Sequence, residues 1–284
     1  MKYTSLSAPE ERVDPYVLTP DSRVVDLMPQ LIKDGYVPAG ISTIIGRRQH
    51  PMENVRDVWG KTYLFTGDSS ATNDTGAALL TLNTPLLLEL NSQSPLVNGA
   101  LALDRKSAQK KWNELKADKE HSLYLTPDQV ADAHEKGYVR KGGVLVPANK
   151  VVGKVWDFLN KGKDVKEYAE QVSEASKSDE VLCVYFDLSK PEAPQWRSLV
   201  LDRFDYYCGS GVCGNYTLDD GNGRLAGVAS GGAAQSVVAR SVAPKNGYSP
   251  KAAAEEVFHF LATRTLQQGM PSSKELEAII AKSR

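Results

Sequence analysis

Histidine and cysteine are scarce in this chain. Four histidines in 284 residues leave little material for metal centres that gather several imidazoles on one ion. Three cysteines cannot build a disulfide framework at this length, and that scarcity fits a reducing compartment. Net charge is nearly absent as well. Lysine and arginine total 34 against 35 aspartate and glutamate, a formal charge of −1, so no whole-protein field draws in nucleic acid or an acidic membrane. No apolar run reaches the about 18–20 residues that span a bilayer; TPLLLEL is far too short. The N-terminal MKYTSLSAPEERVDPY lacks the apolar core of a secretion signal, and its acidic residues argue against a transit peptide. The expectation is a cytoplasmic, unprocessed chain with no membrane partner and with nucleic acid disfavoured.

What is present suits an ordinary folded protein. Hydrophobic residues make up 41% and charged residues 24%, enough to bury a sizeable core. Residues 1–17 are polar, carry Pro9 and Pro15, and read as an extended arm. LTPDSRVVDLMPQLIKDG then predicts a helix with Thr19 as N-cap and Pro20 in its first turn. Val24, Leu27, Met28, Leu31 and Ile32 form its apolar stripe. Pro29 lies inside that stripe and should kink or split the helix. Gly35 is a stop, and GISTIIG reads as a strand.

Further along, Lys61–Thr66 and Ala77–Leu82 read as strands flanking a polar loop, Gly67–Gly76. Thr84-Pro85 opens a short apolar helix, and DRKSAQKKWNELKADKEH is a charged helix with Trp112 and Leu115 on its narrow apolar face. LTPDQVADAHEKGYV repeats the fragments Leu-Thr-Pro-Asp and Gly-Tyr-Val, but the spacers (22–34 and 129–136) differ in length. Shared capping chemistry explains that better than duplication. Thr126-Pro127-Asp128 starts a helix, Gly137 ends it, and GGVLVP is a strand. Residues 149–176 form a helical pair broken at Gly162.

A composition change at 177–180 marks a candidate boundary between a helix-rich α+β region (18–177) and an antiparallel sheet with C-terminal helices (178–284), with a core shared by the two as the alternative. VLCVYFDL, WRSLVLDRFDYYC, VCGNYTL and RLAGVAS predict a meander, the last two strands joined by the hairpin signal Asp219-Asp220-Gly221-Asn222-Gly223. Ser249-Pro250 starts a helix bearing Val257, Phe260 and Leu261. Ser272 and Glu275 form a capping box for another. Helices first, strands later and helices last favour an α+β fold over an alternating doubly wound one.

Candidate sites are few. In YYCGSGVCGNY, Cys208 and Cys213 flank Gly209-Ser210-Gly211. A nucleophile elbow needs spacers around the serine and a following helix, and a zinc knuckle needs about four ligands; neither is present. A redox pair, or Cys208 as a nucleophile, would need a neighbouring base, and Asp205 disfavours a thiolate. A tight turn with cysteines as small packing residues is the plainer reading. In Gly67–Gly76, Asp68, Ser70, Asn73 and Asp74 offer oxygen ligands, though such residues also fill turns. GRRQHP places Arg47 and Arg48 where, with Lys61, they could hold an anion; surface solvation is the alternative. Asp202 and Asp205, three apart on a strand, fall on opposite faces. His134 should half-pack on its helix, and His259 follows Glu255 by four, a helix-surface pair.

No stretch assembles a catalytic triad, a paired-carboxylate set or a metal cluster, and neither metal nor cofactor is expected. Two readings remain. One is an interaction or assembly protein with a protein partner or self-association, motivated by the polar arm and the Gly/Ala-rich segment 229–236. The other is an enzyme or small-molecule binder using the 67–76 loop with Arg47 and Arg48 as an anion or phosphate clamp. The first is preferred because no catalytic set is visible; whether the chain is an enzyme stays open.

Overall fold

The computed structural model describes residues 3–6, 16–51, 55–205 and 209–229. The chain divides into two units, Met1–Ala234 and Gln235–Arg284. The second lies wholly outside the described residues, as do the expected helices after Ser249 and Ser272 and most of the Gly/Ala-rich segment.

Strands β1 (Thr4–Ser5) and β2 (Tyr16–Leu18) lead into helix α1 (Val24–Lys33), strand β3 (Tyr36–Pro38) and helices α2 (Ile41–Gln49) and α3 (Arg56–Lys61). Strands β4 (Leu64–Thr72) and β5 (Ala78–Thr81) follow, then α4 (Pro85–Leu88), β6 (Leu96–Val97), β7 (Ala100–Ala102) and α5 (Arg105–Ala117). Next come β8 (Ser122–Leu125), α6 (Pro127–Ala133), β9 (Lys136–Lys141), β10 (Val144–Pro147), α7 (Lys150–Leu159) and α8 (Lys166–Ser176). Strands β11 (Glu180–Tyr185), β12 (Gln195–Leu201), β13 (Val212–Cys213) and β14 (Ala226–Ala229) complete the described chain.

The strands form two sheets. A four-stranded antiparallel sheet has the order β1-β2-β14-β3, and a ten-stranded sheet runs β10-β9-β11-β13-β12-β4-β5-β8, with β7 on β12 and β6 on β7. Neighbouring residues of β4 and β5 feed opposite faces of the larger sheet, as strand geometry requires. Leu64, Ala78 and Leu80 join a core with Ile44, Trp59, Trp156 and Tyr168. Phe65 and Leu79 join a second core with Leu27, Met28, Trp112 and Trp196. Thus α2, α3, α6, α7 and α8 contribute to one core and α1, α4 and α5 to the other. The mixture of helices and strands is the expected α+β class.

Helices with local caps appear where the sequence places them. Thr126 and Gln129 form a capping box on α6, Asn149 accepts from Val151 and Val152 to start α7, and Gly162 lies between α7 and α8. Other expectations are corrected. GISTIIG forms α2, not a strand: the Asp68 carboxylate accepts the Ile41 N–H at 2.7 Å, a long-range cap that overrides β-branched propensity. Gly67–Gly76 is not a loop, since β4 runs through Thr72 and all nine of its residues are buried; only the turn beyond Thr72 remains. Thr19 does not cap α1, which begins after Arg23. Its hydroxyl accepts the Leu225 N–H at 2.9 Å and ties the end of β2 to the approach of β14. Pro29 does not split α1; burial of five apolar side chains holds the helix through the missing hydrogen bond.

Gly137 is no helix stop but a residue of β9, where an added Cβ would lie 2.1 Å from the Val181 carbonyl oxygen. The C-terminal meander is also replaced. β13 inserts between β11 and β12, parallel to the first and antiparallel to the second. β14 leaves for the smaller sheet, so 219–223 does not close a hairpin. β11 pairs with β9, which carries the larger sheet across residues 177–180. In the N-terminal segment, β1 and β2 are paired strands and Leu6 is buried.

Candidate functional site

The residues expected to form an anion clamp have separate structural duties. Asp68 is 1% exposed. One carboxylate oxygen accepts Ile41 N–H and the other accepts Asn83 N–H at 2.8 Å. Burial pushes its pKa up despite those bonds. Ser70 is buried, and its hydroxyl has no hydrogen-bond partner among the described residues. Asn73 organises the turn after β4 by accepting from the Ala77 N–H at 3.0 Å and the Thr75 hydroxyl at 2.8 Å, a local side-chain turn. Asp74 is exposed beside it. Arg47 lays its guanidinium 3.9 Å from the centroid of the Tyr16 ring. Asp68 caps one end of α2 while Arg48 sits near the other, so the set does not converge.

Arg48 is fully buried and works as an internal clasp. Its Nε donates to the Trp59 carbonyl at 2.7 Å and its Nη2 to the Thr62 carbonyl at 2.8 Å. Its Nη1 reaches the Asp202 carbonyl at 2.6 Å, Ser210 Oγ at 2.8 Å and the Tyr168 hydroxyl at 3.2 Å. The Gly-Ser-Gly turn is therefore structural. Ser210 takes φ +51° and is held by Arg48 and by the Tyr168 hydroxyl. Cys213 donates from Sγ to Asp202 Oδ2 at 3.3 Å. Cys208, the nucleophile candidate, lies outside the described residues with Tyr206 and Tyr207.

A different group of residues makes a surface. Arg197 is 6% exposed and fastens three loops from below. Its Nε donates to Asp187 Oδ2 at 2.9 Å, its Nη2 to the Asn98 carbonyl at 2.9 Å, and its Nη1 to the Tyr216 carbonyl at 3.4 Å. The first loop follows β11, the second is the turn between β6 and β7, and the third follows β13. Gly99 has φ +72°, and a Cβ there would come within 2.3 Å of Thr217 Cβ; Leu218 N–H donates to its carbonyl at 2.7 Å. The second and third loops are therefore in direct contact.

The third loop, with the ends of β11 and β13 and with Asp202, lines a cavity of about 330 Å³: Tyr185, Asp202, Cys213, Asn215, Tyr216, Thr217 and Asp220 form its wall. Val97 and Leu188, 47% and 54% exposed, adjoin the two Arg197 partners Asn98 and Asp187. Tyr216 is braced by Phe65 edge-on and by Tyr63 in a stack, each with ring centroids 6.1 Å apart. Asp202 is buried at the cavity wall, and that burial raises its pKa. Among the described residues no three histidine, cysteine, aspartate or glutamate side chains converge as a metal site. No described helix is long and apolar enough to cross a membrane.

Sequence reasoning passed over Arg197 and read 212–218 as a plain strand. One signal was available. GNYTLDDGNG is a run of turn formers and adaptable polar residues between buried flanks, the composition of a loop presented by a scaffold.

No family model matches the chain, and no curated protein matches it. Its fold is similar to that of a solved structure reported as the accommodation of massive sequence variation in Nanoarchaeota by the C-type lectin fold. The two chains share 13% identity with a TM-score of 0.50, over 78% of this chain and 100% of that one. The likeness is one of fold. Loops on a C-type lectin-like framework thus carry the cavity, the Tyr216 platform and the exposed apolar pair.

Proposed function

We propose that this chain is a binding protein that engages a protein partner through the loop cluster around Arg197. The observation that carries the reading is the set of hydrogen bonds from one buried guanidinium to three loops. Such a clasp fixes loop geometry before a partner arrives, which lowers the ordering cost of association. The side chains presented, Tyr185, Asn215, Tyr216 and Thr217 with Val97 and Leu188 beside them, combine aromatic area, adaptable hydrogen bonding and some apolar surface. That is the make-up of a recognition surface. The solved neighbour supports the reading indirectly, because a framework that accommodates massive sequence variation is suited to presenting variable contacts. The polar N-terminal arm lends it less support, since β1 and β2 are engaged in a sheet.

The test is selection of binders from a displayed random-peptide library on the full chain, followed by transfer to a Leu188→Ser/Asn215→Ala variant. Both side chains are exposed, so the variant should keep its melting temperature. Peptides retained by the wild type should leave the variant. Equal retention by both proteins would reject the loop cluster as the binding surface.

A further inference from the structure

We infer that a second recess, behind Tyr63, is a binding site for a phosphate monoester group. The recess has a volume of about 300 Å³ and is lined by Lys61, Tyr63, Arg203, Arg224, Asp21 and Asn222, with Thr62 between the first two. Its cations come from three places in the sequence: Lys61 ends α3, Arg203 follows β12, and Arg224 precedes β14. Three cations and one carboxylate line the recess, and Asp57 and Asp205, outside the lining, pair with Lys61 and Arg203, so a phosphate dianion binds by taking over from those two exposed carboxylates.

The cations are unequally engaged. Arg224 is fixed by Asp21, which takes hydrogen bonds from both Nε and Nη2. Arg203 pairs with Asp205 through Nε alone, at 3.2 Å. Its two terminal amino groups make no hydrogen bond among the described residues and offer the planar fork that suits an oxyanion. Lys61 pairs with Asp57 one helical turn away at 3.0 Å, with 64% and 78% of their side chains exposed. An exposed pair of that kind is weak and readily exchanged for a better anion. The side chains of Arg203 and Arg224 are 43% and 37% exposed, so both can be reached from solvent.

The recess is larger than a phosphate group needs, and Tyr63 supplies a wall for an organic body. Tyr63 is held in place, its hydroxyl donating to the Asn222 carbonyl at 3.1 Å and its ring stacking on Tyr216. The anionic ligand expected from the sequence thus finds a site away from the 67–76 segment, with Lys61 as the shared residue. This inference does not depend on the loop cluster binding a protein, because Asn215 and Leu188 do not line the recess.

Titration calorimetry of the full chain with inorganic phosphate, phenyl phosphate, benzoate and a phosphoserine peptide tests it. Inorganic phosphate should bind, and phenyl phosphate should bind more tightly because of its ring. Benzoate should bind at least about tenfold more weakly than phenyl phosphate. Tighter binding of the peptide than of phenyl phosphate would assign the group to a protein, and the reverse to a small molecule. Arg203→Gln should weaken phosphate binding about tenfold or more, whereas Asn215→Ala and Lys110→Gln should leave it unchanged. Absence of phosphate binding, or equal affinity in Arg203→Gln, would overturn the inference.

Discussion

At the scale of single residues, the charged side chains that look most chemical in the sequence are those the fold consumes. Among the described residues Arg48 has no carboxylate hydrogen bond; carbonyl oxygens and two hydroxyls surround its guanidinium. A glutamine cannot reach that many acceptors, and buried acceptors left unpaired cost about 1–3 kcal/mol each. Urea unfolding of Arg48→Gln should show a loss of that size, and a loss under about 1 kcal/mol would mean the clasp is dispensable. Asp202 yields a pH dependence. Its folded pKa lies above the ordinary carboxylate range because of burial, so the folded chain retains a proton that the unfolded chain gives up. Stability from this group is complete below the unfolded pKa and declines as pH rises through the folded one. Asp202→Asn removes that decline. From about pH 4 to about pH 7, the stability of the variant relative to wild type should shift in the variant's favour. A constant difference across that range would contradict the assignment.

At the scale of elements, the sequence is most legible where structure is decided locally. The starts of α5, α6 and α7 follow from the caps at Asp104, Thr126 and Asn149, because those signals lie within a few residues of the ends they set. α2 and β4 were illegible for one shared reason. Asp68, in the middle of β4, caps α2 from 27 residues away, and no local window contains both partners. β4 also carries Gly67, Asp68, Ser69 and Ser70, which read as a polar loop until neighbours cover both faces. The insertion of β13 between β11 and β12 is likewise a tertiary choice. Gly137 shows how closely β9 and β11 approach. Gly137→Ala should unfold the chain or lower its melting temperature sharply, since the obstacle is backbone oxygen and cannot swing aside. A melting temperature within a degree or two of wild type, which is the effect of a few tenths of a kcal/mol, would show that the strands can part without cost.

At the scale of the whole molecule, the α+β class was readable from composition and element order, whereas the proposed binding surface was not. The loop cluster draws Tyr185, Arg197 and Tyr216 from separate strands and loops and adds the turn between β6 and β7. Its unity rests on Arg197, which in sequence is one more charged residue inside an apolar strand. The measurement that tests the central claim most directly is site-specific photo-crosslinking in cells that make the protein, with the photoreactive residue at Asn215 or, as a control, at Lys110 on α5. Binding through the loop cluster predicts a discrete crosslinked species from position 215 that disappears when Leu188→Ser is added, and none from position 110. Crosslinking from both positions alike, or from 110 alone, would contradict it.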